Sequence, residues 1–274
     1  MASRVILTRP AGQSRTWRDA LQAAGHEVLD WPLIETGPAD VSDSVDQAWQ
    51  ELSSCQAWMF VSAPAVQYFF ARRPPGVQLQ HWHAWVTGPG TRHALHQYGV
   101  TDDAISGPAE DATQFDTEHL WQIVQPLVAA WPPERSVAIV RGTEVAAQGG
   151  DADTAVAPHN GVGRDWLAEQ LSAQGVQVRW VVAYRRGPPA WDEAQRARAR
   201  SAAGDGSVWV FSSSLAAQYL AALLPGVSWA QARAVATHER IAAVLRAYGW
   251  GQVSICKPQA GELLRNLASL ESAS

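Results

Sequence analysis

The chain carries the sequence WMFVSAPAVQY at residues 58–68 and a matching sequence, WVFSSSLAAQY, at residues 209–219. In both copies an apolar run ends at a serine, and a segment rich in alanine follows. This pattern predicts a buried β-strand that leads directly into an α-helix. The two copies lie 151 residues apart, so this strand-helix unit is predicted to occur once in each half of the chain.

Other positions repeat with nearly the same spacing. At an offset of 150 residues, Leu21, Gly25 and Val28 match Leu171, Gly175 and Val178, and Leu95, Tyr98 and Gly99 match Leu245, Tyr248 and Gly249. A constant offset across three segments indicates an internal duplication. Arg9 matches Arg141 at an offset of only 132 residues, so an insertion is expected after Arg141. Residues 143–160 are rich in Gly, Ala and Asp without an apolar period, which predicts a surface loop there.

Short apolar runs alternate with amphipathic segments along most of the chain. The first run is followed by a segment that places Trp17, Leu21 and Ala24 on one helix face, with Gly25 positioned to end the helix. This alternation predicts an α/β fold with parallel sheets. The predicted strands are Val5–Thr8, Ala57–Ser62, Trp82–Thr87, Ser136–Arg141, Val176–Tyr184, Ser207–Ser212, Ala232–Thr237 and Gln252–Cys256.

The composition excludes several classes of protein. Of 274 residues, 47% are hydrophobic and 17% are charged, which indicates a packed protein and excludes a disordered one. The formal net charge of −5 provides no attraction to nucleic acid or to an anionic membrane. The apolar run near the N-terminus is too short for a signal peptide, and no run is long enough to span a bilayer. We therefore expect a cytoplasmic protein.

No motif for a metal or a nucleotide is found. Cys55 and Cys256 lie in no Cys-x-x-Cys pair, and the clustered histidines His93 and His96 have no acidic residue to complete a metal site. The chain also has no Walker A loop, no Gly-x-Gly-x-x-Gly sequence and no Gly-x-Ser-x-Gly elbow. A nucleotide-dependent transferase would need a phosphate-binding loop, so the sequence predicts that the protein uses no metal and no organic cofactor.

Polar residues cluster where the predicted strands end. Parallel sheets bind ligands beyond the carboxyl ends of their strands, and free N–H groups at helix N-termini favour anions. Each hydroxyl could also serve only as an N-cap. Several such ends in both halves would suit a ligand with many carboxylates. The candidate residues are Thr8, Arg9, Ser62, Ala63, Thr87, Gly88, Gly90, Thr91, Arg141, Gly142, Ser212, Ser213, Thr237, His238 and Arg240.

At these strand ends the sequence resembles the uroporphyrinogen-III synthase family. Each motif is short, but together they follow the family order and cover nearly the whole chain. The matching segments are 8–10, 60–63, 86–91 with 94–95, 140–142, 163–167, 183–186, 211–213 and 237–242. The resemblance implies two flavodoxin-like domains, one formed by residues 1–36 and 189–274 and the other by residues 38–184. The segments Leu33–Pro38 and Arg185–Pro189 would form a two-stranded linker between them.

The resemblance also implies a reaction in porphyrin and heme biosynthesis. The family converts hydroxymethylbilane, a linear tetrapyrrole with eight carboxylates, into a ring whose last pyrrole is inverted through a spiro intermediate, with loss of water and without a cofactor. Tyr184 matches the proposed acid of the family, or it could be a packing residue. Arg9, Arg141 and Arg164 match family positions that could bind carboxylates, although Arg141 could instead pair with a neighbouring aspartate. The residues 143–160 depart from the family pattern.

The resemblance further implies a lyase that works as a monomer and leaves open a transient contact with hydroxymethylbilane synthase. A rival interpretation is a cytoplasmic two-lobed α/β module that binds a ligand without catalysis.

Overall fold

The computed structural model describes residues 3–10, 12–39, 43–79, 82–112, 114–132, 134–145 and 162–272. It divides into two compact units. Unit 1 contains the described residues of Met1–Glu35, Val145–Asp151 and Gly187–Ser274, and unit 2 contains those of Thr36–Glu144 and Ala152–Arg186. Each unit is built around its own β-sheet.

Strands and helices alternate along the chain. The strands are β1 (Arg4–Leu7), β2 (Glu27–Asp30), β3 (Glu35–Pro38), β4 (Ala57–Phe60), β5 (Ala84–Val86), β6 (Ile105–Ser106), β7 (Ser136–Glu144), β8 (Gln177–Gly187), β9 (Val208–Phe211), β10 (Arg233–Ala236) and β11 (Gln252–Ile255). The α-helices are α1 (Arg15–Ala23), α2 (Asp43–Gln50), α3 (Ala63–Phe70), α4 (Pro89–Gln97), α5 (Thr117–Ala129), α6 (Val162–Ala173), α7 (Glu193–Ala202), α8 (Ser214–Leu223), α9 (Glu239–Ala247) and α10 (Ala260–Ser272).

Both units have the flavodoxin-like strand order. The sheet of unit 1 runs β2-β1-β9-β10-β11, and every neighbouring pair is parallel. The sheet of unit 2 runs β8-β7-β4-β5-β6 with parallel pairs throughout, and β3 is added beside β8. When β7 is counted as the first strand of unit 2, both orders become 2-1-3-4-5, which is the flavodoxin-like arrangement.

Each half of the sequence contributes its first two strands to the sheet that contains the later strands of the other half. The first half supplies β1 and β2 to unit 1, although its other repeated strands, β4, β5 and β6, lie in unit 2. The second half supplies β7 and β8 to unit 2 and the last three strands to unit 1. The sheet of unit 1 therefore combines two strands of the first half with three of the second, and the sheet of unit 2 combines two strands of the second half with β3, β4, β5 and β6 of the first.

Each sheet is covered on both faces. In unit 1 the alternation of side chains along β1 sends Ile6 into one apolar cluster and Val5 and Leu7 into another. Parallel sheets need such two-sided cover, which explains why their strands are nearly continuously apolar in sequence. The tryptophans that begin the repeated segment follow the same rule, since Trp58 and Trp209 are almost completely buried.

Detailed contacts repeat between the units. The indole N–H of Trp58 donates to the carbonyl oxygen of Leu52 at 3.3 Å, and that of Trp209 donates to the carbonyl oxygen of Ala202 at 3.2 Å. The matched pair Gly99 and Gly249 end helices α4 and α9 with φ values of +81° and +79°. These shared contacts are the structural counterpart of the duplication in the sequence.

The eight predicted strands are all present, but several details differ from the sequence-based expectation. Ala24 is exposed and lies at the C-cap of α1, so it is not part of the buried helix face. Leu33, predicted to begin the linker, is fully buried in the core of unit 1, and only Glu35–Pro38 form β3. The strands β2 and β6 were not among the strands predicted from apolar runs.

The first two residues of the predicted loop at 143–160 belong to a strand instead. Thr143 and Glu144 belong to β7, where they pair with Arg185 and Arg186 of β8. The residues from 146 to 160 lie outside the described part of the chain. No helix within the described ranges is long and apolar enough to cross a membrane.

We predict that the helix ends at Gly99 and Gly249 each require glycine. An added Cβ would meet nothing within 4 Å at either position, so only the left-handed backbone conformation opposes a side chain there. Gly99→Ala and Gly249→Ala should each lower the free energy of unfolding by about 1–2 kcal/mol. Urea denaturation followed by circular dichroism measures this change. Gly261→Ala is the control, because Gly261 lies in α10 with equal space and no left-handed φ, and it should be neutral or stabilising.

Candidate functional site

The carboxyl ends of the parallel strands bring the predicted site residues together within each unit. In unit 1, Thr8 and Arg9 follow β1, Ser212 and Ser213 follow its neighbour β9, and the Thr237–Arg240 segment follows the next strand, β10. Because these strands are parallel, the three loops share one edge of the sheet. We call this the carboxyl edge of unit 1.

Arg9 is held at this edge by an aromatic ring. Its guanidinium carbon lies 4.5 Å from the centre of the Trp17 ring on α1, in a cation–π contact. Its Nε is buried and has no hydrogen-bond partner among the described residues. Burial lowers the pKa of Arg9 from its ordinary value, although an arginine keeps its charge at neutral pH. An oriented guanidinium without a carboxylate partner can bind an anion.

The hydroxyl groups of this edge differ in their availability. Thr8 is 1% exposed, and its Oγ1 donates to the carbonyl oxygen of Val210 at 2.7 Å, so this hydroxyl has no hydrogen left for a ligand. Ser213 is the N-cap of α8, but its side chain makes no capping hydrogen bond. The buried Oγ of Ser214 has no partner within the described part of the chain. The start of α8 therefore offers donors that its own capping does not use.

At the start of α9, His238 is the N-cap residue. Its Nδ1 accepts a hydrogen bond from the backbone N–H of Arg240 at 3.1 Å, which fixes the ring at the helix end. The Arg240 side chain is exposed at the same edge. Thr237 donates its backbone N–H to the carbonyl oxygen of Phe211 and is half-buried.

In unit 2 the strand ends bring Tyr184 and Ser62 into contact. The two hydroxyl oxygens are 3.1 Å apart, and either one can be the donor. Ser62 is also the N-cap of α3, because its Oγ accepts the backbone N–H of Ala65 at 3.3 Å. Capping and ligand binding were alternatives for this serine in the sequence, and the structure uses it as a cap that also touches the tyrosine.

Gly142 lies on β7, between the strands that carry Tyr184 and Ser62. A Cβ atom on Gly142 would lie 2.6 Å from Cε2 and 2.7 Å from Cε1 of Tyr184, which is closer than real Cβ contacts. A β-bulge on β8 makes Gly142 the partner of Tyr184, since Arg141 pairs with Val182. The missing side chain at residue 142 thus lets the phenol ring extend across β7 toward Ser62.

Arg141 is held in the same way as its sequence match, Arg9. Its guanidinium carbon lies 4.2 Å from the centre of the Trp180 ring on β8. The neighbouring aspartate that the sequence left open as a partner is not found among the described residues, where Arg141 makes no ion pair. Both matched arginines are therefore stacked on tryptophans and, within the described ranges, are free of carboxylates.

The remaining candidates of unit 2 lie at the start of α4 or on α6. Gly88 is the N-cap of α4, and the helix continues through Gly90 and Thr91, of which Thr91 is buried. Thr87 is half-buried directly before this helix. Arg164 lies in α6, but its side chain is outside the described residues. Ala63 is the first residue of α3.

A half-open cavity of about 200 Å³ lies elsewhere in unit 2. It lies between α2 and the sheet, where it is lined by Ser44, Gln47, Glu51 and Arg179. Arg179 already pairs with Glu51 at 2.7 Å and with Ser54 at 2.9 Å. The charged groups that line the cavity thus already have partners within the protein. The carboxyl edges of the two sheets, where the strands end, remain the better candidate sites. Within the described ranges, no three His, Cys, Asp or Glu side chains are grouped as a metal ion would require.

Two flavodoxin-like sheets of parallel strands, each with helix N-termini at its carboxyl edge and each carrying an arginine stacked on a tryptophan, define a two-unit α/β protein suited to an anionic ligand. The sequence model of the family described as uroporphyrinogen-III synthase HemD matches residues 15–264, and the chain belongs to this family. The family acts in tetrapyrrole synthesis, which implies a small-molecule tetrapyrrole as the substrate. No curated protein sequence matches the chain significantly.

Solved structures of the same family share the fold. A uroporphyrinogen-III synthetase from Helicobacter pylori has a TM-score of 0.58 and 14% identity, covering 98% of this chain and 100% of its own. A mutant uroporphyrinogen III synthase from the extremely thermophilic bacterium Thermus thermophilus has a TM-score of 0.55 and 15% identity, covering 100% of both chains. At such low identity these likenesses concern the fold alone.

Sequence reasoning missed the side chains that hold the site residues. The sequence predicts Trp17 only as part of a helix face and Trp180 only as part of a strand, and Tyr68 is only the end of the repeated segment. The ring of Tyr68 stacks on that of Tyr184, with centres 5.8 Å apart and planes 13° apart. The repeat in the sequence could have indicated Tyr68, because Tyr68 and its match Tyr219 follow the strand-end serines Ser62 and Ser213 at the same sequence separation.

We predict that the matched serines Ser62 and Ser213 contribute unequally to stability. Ser62→Ala removes a capping hydrogen bond and the contact with Tyr184, so it should lower the free energy of unfolding by about 1–2 kcal/mol. Ser213→Ala is the matched control, since that side chain caps nothing, and its effect should stay within about 0.5 kcal/mol. Equal losses in urea denaturation would contradict the assignment of different roles.

Proposed function

We propose that the protein converts hydroxymethylbilane into uroporphyrinogen III, with loss of water and inversion of the last pyrrole ring, which makes it a lyase. The observation that carries this proposal is the contact between the hydroxyls of Tyr184 and Ser62 at the carboxyl edge of unit 2. It supplies a positioned proton donor in a family whose members act on tetrapyrroles.

Substrate carboxylates would bind to the stacked arginines and helix N-termini. Hydroxymethylbilane has eight carboxylates, so it needs many positive or N–H donor groups. Arg9 and Arg141 are oriented by indole rings and make no ion pair within the described part of the chain. A guanidinium that is already oriented loses little freedom when it binds a carboxylate. The starts of α3, α4, α8 and α9 add backbone N–H groups and the positive ends of helix dipoles.

Tyr184 would protonate the departing hydroxyl of the substrate. The Oγ of Ser62 accepts the Ala65 N–H and can donate its own hydrogen to the phenol oxygen of Tyr184. In that arrangement the phenol hydrogen of Tyr184 is free to reach the leaving hydroxyl. After the proton has moved, the phenolate accepts the hydrogen bond from Ser62 beside the N-terminus of α3, whose dipole favours negative charge.

Loss of the hydroxyl as water leaves an azafulvene cation, and the remaining steps rearrange carbon–carbon bonds. The last pyrrole attacks this cation through its substituted carbon and forms a spiro intermediate. Fragmentation and a second closure, followed by loss of one proton that returns to the Tyr184 phenolate, then give the neutral product with the inverted ring. The protein mainly has to hold the chain in the geometry that favours this attack, because the unassisted reaction closes the ring without inversion. A site of hydroxyls, amides and guanidinium groups, without a strong nucleophile, suits that task.

The proposal extends to the working form of the protein. It would act as a monomer in the cytoplasm without a cofactor, and it would receive its unstable substrate from hydroxymethylbilane synthase, with which it could make a transient contact. The residues predicted for substrate binding keep that role here, apart from the Thr8 hydroxyl, which is used within the sheet.

The first test supplies hydroxymethylbilane to the protein. We expect the type III isomer to dominate with active protein and the type I isomer to dominate with heat-denatured protein. Oxidation of the products to porphyrins and chromatographic separation measure the isomer ratio. An isomer ratio that the protein leaves unchanged would favour the rival interpretation of a binding module without catalysis.

The second test replaces Tyr184 with phenylalanine. Tyr184→Phe keeps the ring against Gly142 and Tyr68 but removes the proton donor. Positioned general acids contribute about 10²–10⁴-fold, and a substrate that ionises readily should need only the lower end, so turnover should fall about 100-fold or less. The type III isomer should still dominate, because isomer choice depends on how the whole chain is held. Unchanged turnover would reduce Tyr184 to a packing residue.

A further inference from the structure

The phenol ring of Tyr184 is confined from the side of β7. Tyr184 is 5% exposed, and its ring occupies the space that a Cβ on Gly142 would take. The φ angle of Gly142 lies outside the left-handed region, so the backbone itself does not require glycine there. The glycine is needed because of the ring, and any other residue at position 142 would push the phenol away from Ser62.

A second residue, Tyr68 on α3, confines the ring by stacking. The rings of Tyr68 and Tyr184 are nearly parallel, with an angle of 13° and a centre separation of 5.8 Å. The hydroxyl of Tyr68 donates to the carbonyl oxygen of Thr36 on β3 at 2.9 Å. Tyr68 is half-buried, so its hydroxyl could be satisfied by water without this bond. The bond instead fixes the stacking ring between a helix and a strand.

We propose that Tyr68 and Gly142 are positioning residues for the reaction, which together hold the phenol of Tyr184 in one orientation beside Ser62. This inference rests on the proposed function, because it requires Tyr184 to act as the proton donor. With Gly142 and Tyr68 against the ring and Ser62 on the hydroxyl, the phenol is oriented before the substrate arrives. Such orientation matters because a displacement of about 1 Å can cost about 10²-fold in rate.

The test uses a double-mutant cycle between Tyr68 and Tyr184. Tyr68→Leu should lower kcat by about 10-fold and should leave KM nearly unchanged. The expected loss is smaller than the roughly 10²-fold loss in rate for a displacement of about 1 Å, because Ser62 and Gly142 still hold the phenol. Tyr68→Phe keeps the stacked ring and should have a smaller effect. In the Tyr184→Phe background, Tyr68→Leu should cause no further loss of kcat, since the proton donor that it positions is already gone.

Tyr98 provides the matched control in the same unit. It is also half-buried, stacks on Phe70 with centres 4.8 Å apart, and donates to the carbonyl oxygen of Gln67 at 3.5 Å. It does not touch Tyr184, so Tyr98→Leu should leave kcat unchanged even if it costs similar stability. This comparison separates positioning of the phenol from general loosening of unit 2.

Gly142→Ala could fail to fold, so its test is a measurement of stability. It should lower the melting temperature strongly in the presence of the Tyr184 ring and only slightly in the Tyr184→Ala background, where the space is open. Equal losses in the two backgrounds would contradict the contact.

The outcomes separate the two levels of the proposal. A full additional loss of kcat for Tyr68→Leu in the Tyr184→Phe background, or an unchanged kcat for Tyr68→Leu alone, would overturn the positioning role while leaving the proposed function intact. An unchanged kcat for Tyr184→Phe would overturn the acid assignment and the positioning role together. A protein that forms no type III isomer would contradict the proposed function itself.

Discussion

The parallel pairing of β1 with β9 is the constraint on which unit 1 depends. It joins residues about 200 positions apart, with Val5, Ile6 and Leu7 opposite Val208, Trp209 and Val210. Thr8 extends the junction, since both its backbone N–H and its Oγ1 donate to the Val210 carbonyl oxygen. In the 2-1-3-4-5 order the first strand lies inside the sheet. Without β1, β2 would have no strand to pair with, and Arg9 would not lie at the carboxyl edge. The pairing of β7 with β4 has the same role in unit 2.

The exchange of first strands also decides which side chains meet in unit 2. Tyr184 comes from a strand of the second half, and Ser62 comes from a strand of the first half. They meet only because β7 and β8 join β4 in one sheet. A chain in which each half folded separately would place Tyr184 beside the β9 loop that ends at Ser212 and Ser213.

Although the units share a fold, their edges have different chemistry. At the offset of 150 residues, the position of Tyr184 corresponds to Ile34, and at the offset of 132 the position of Gly142 corresponds to Pro10. Unit 1 therefore has neither the phenol nor the gap that admits it, and its serine cap position makes no capping bond. Both units keep an arginine stacked on a tryptophan. The duplicated arginine position keeps its stacking contact in both units, and the contact between the hydroxyls of Tyr184 and Ser62 lies in unit 2.

The sequence by itself determined the eight apolar strands, the repeated strand-helix unit and the polar residues at the strand ends, because periodicity and end signals are local. It did not determine which strands pair, since apolar periodicity does not encode a partner, and the exchange was implied only by resemblance to a family. Only the tertiary structure decided that Gly142 faces Tyr184, because a bulge at Ala183 shifts the register by one residue. It also decided that Arg141 lies over Trp180 and that the Thr8 hydroxyl is used inside the sheet, since these contacts depend on the packing of strands distant in sequence.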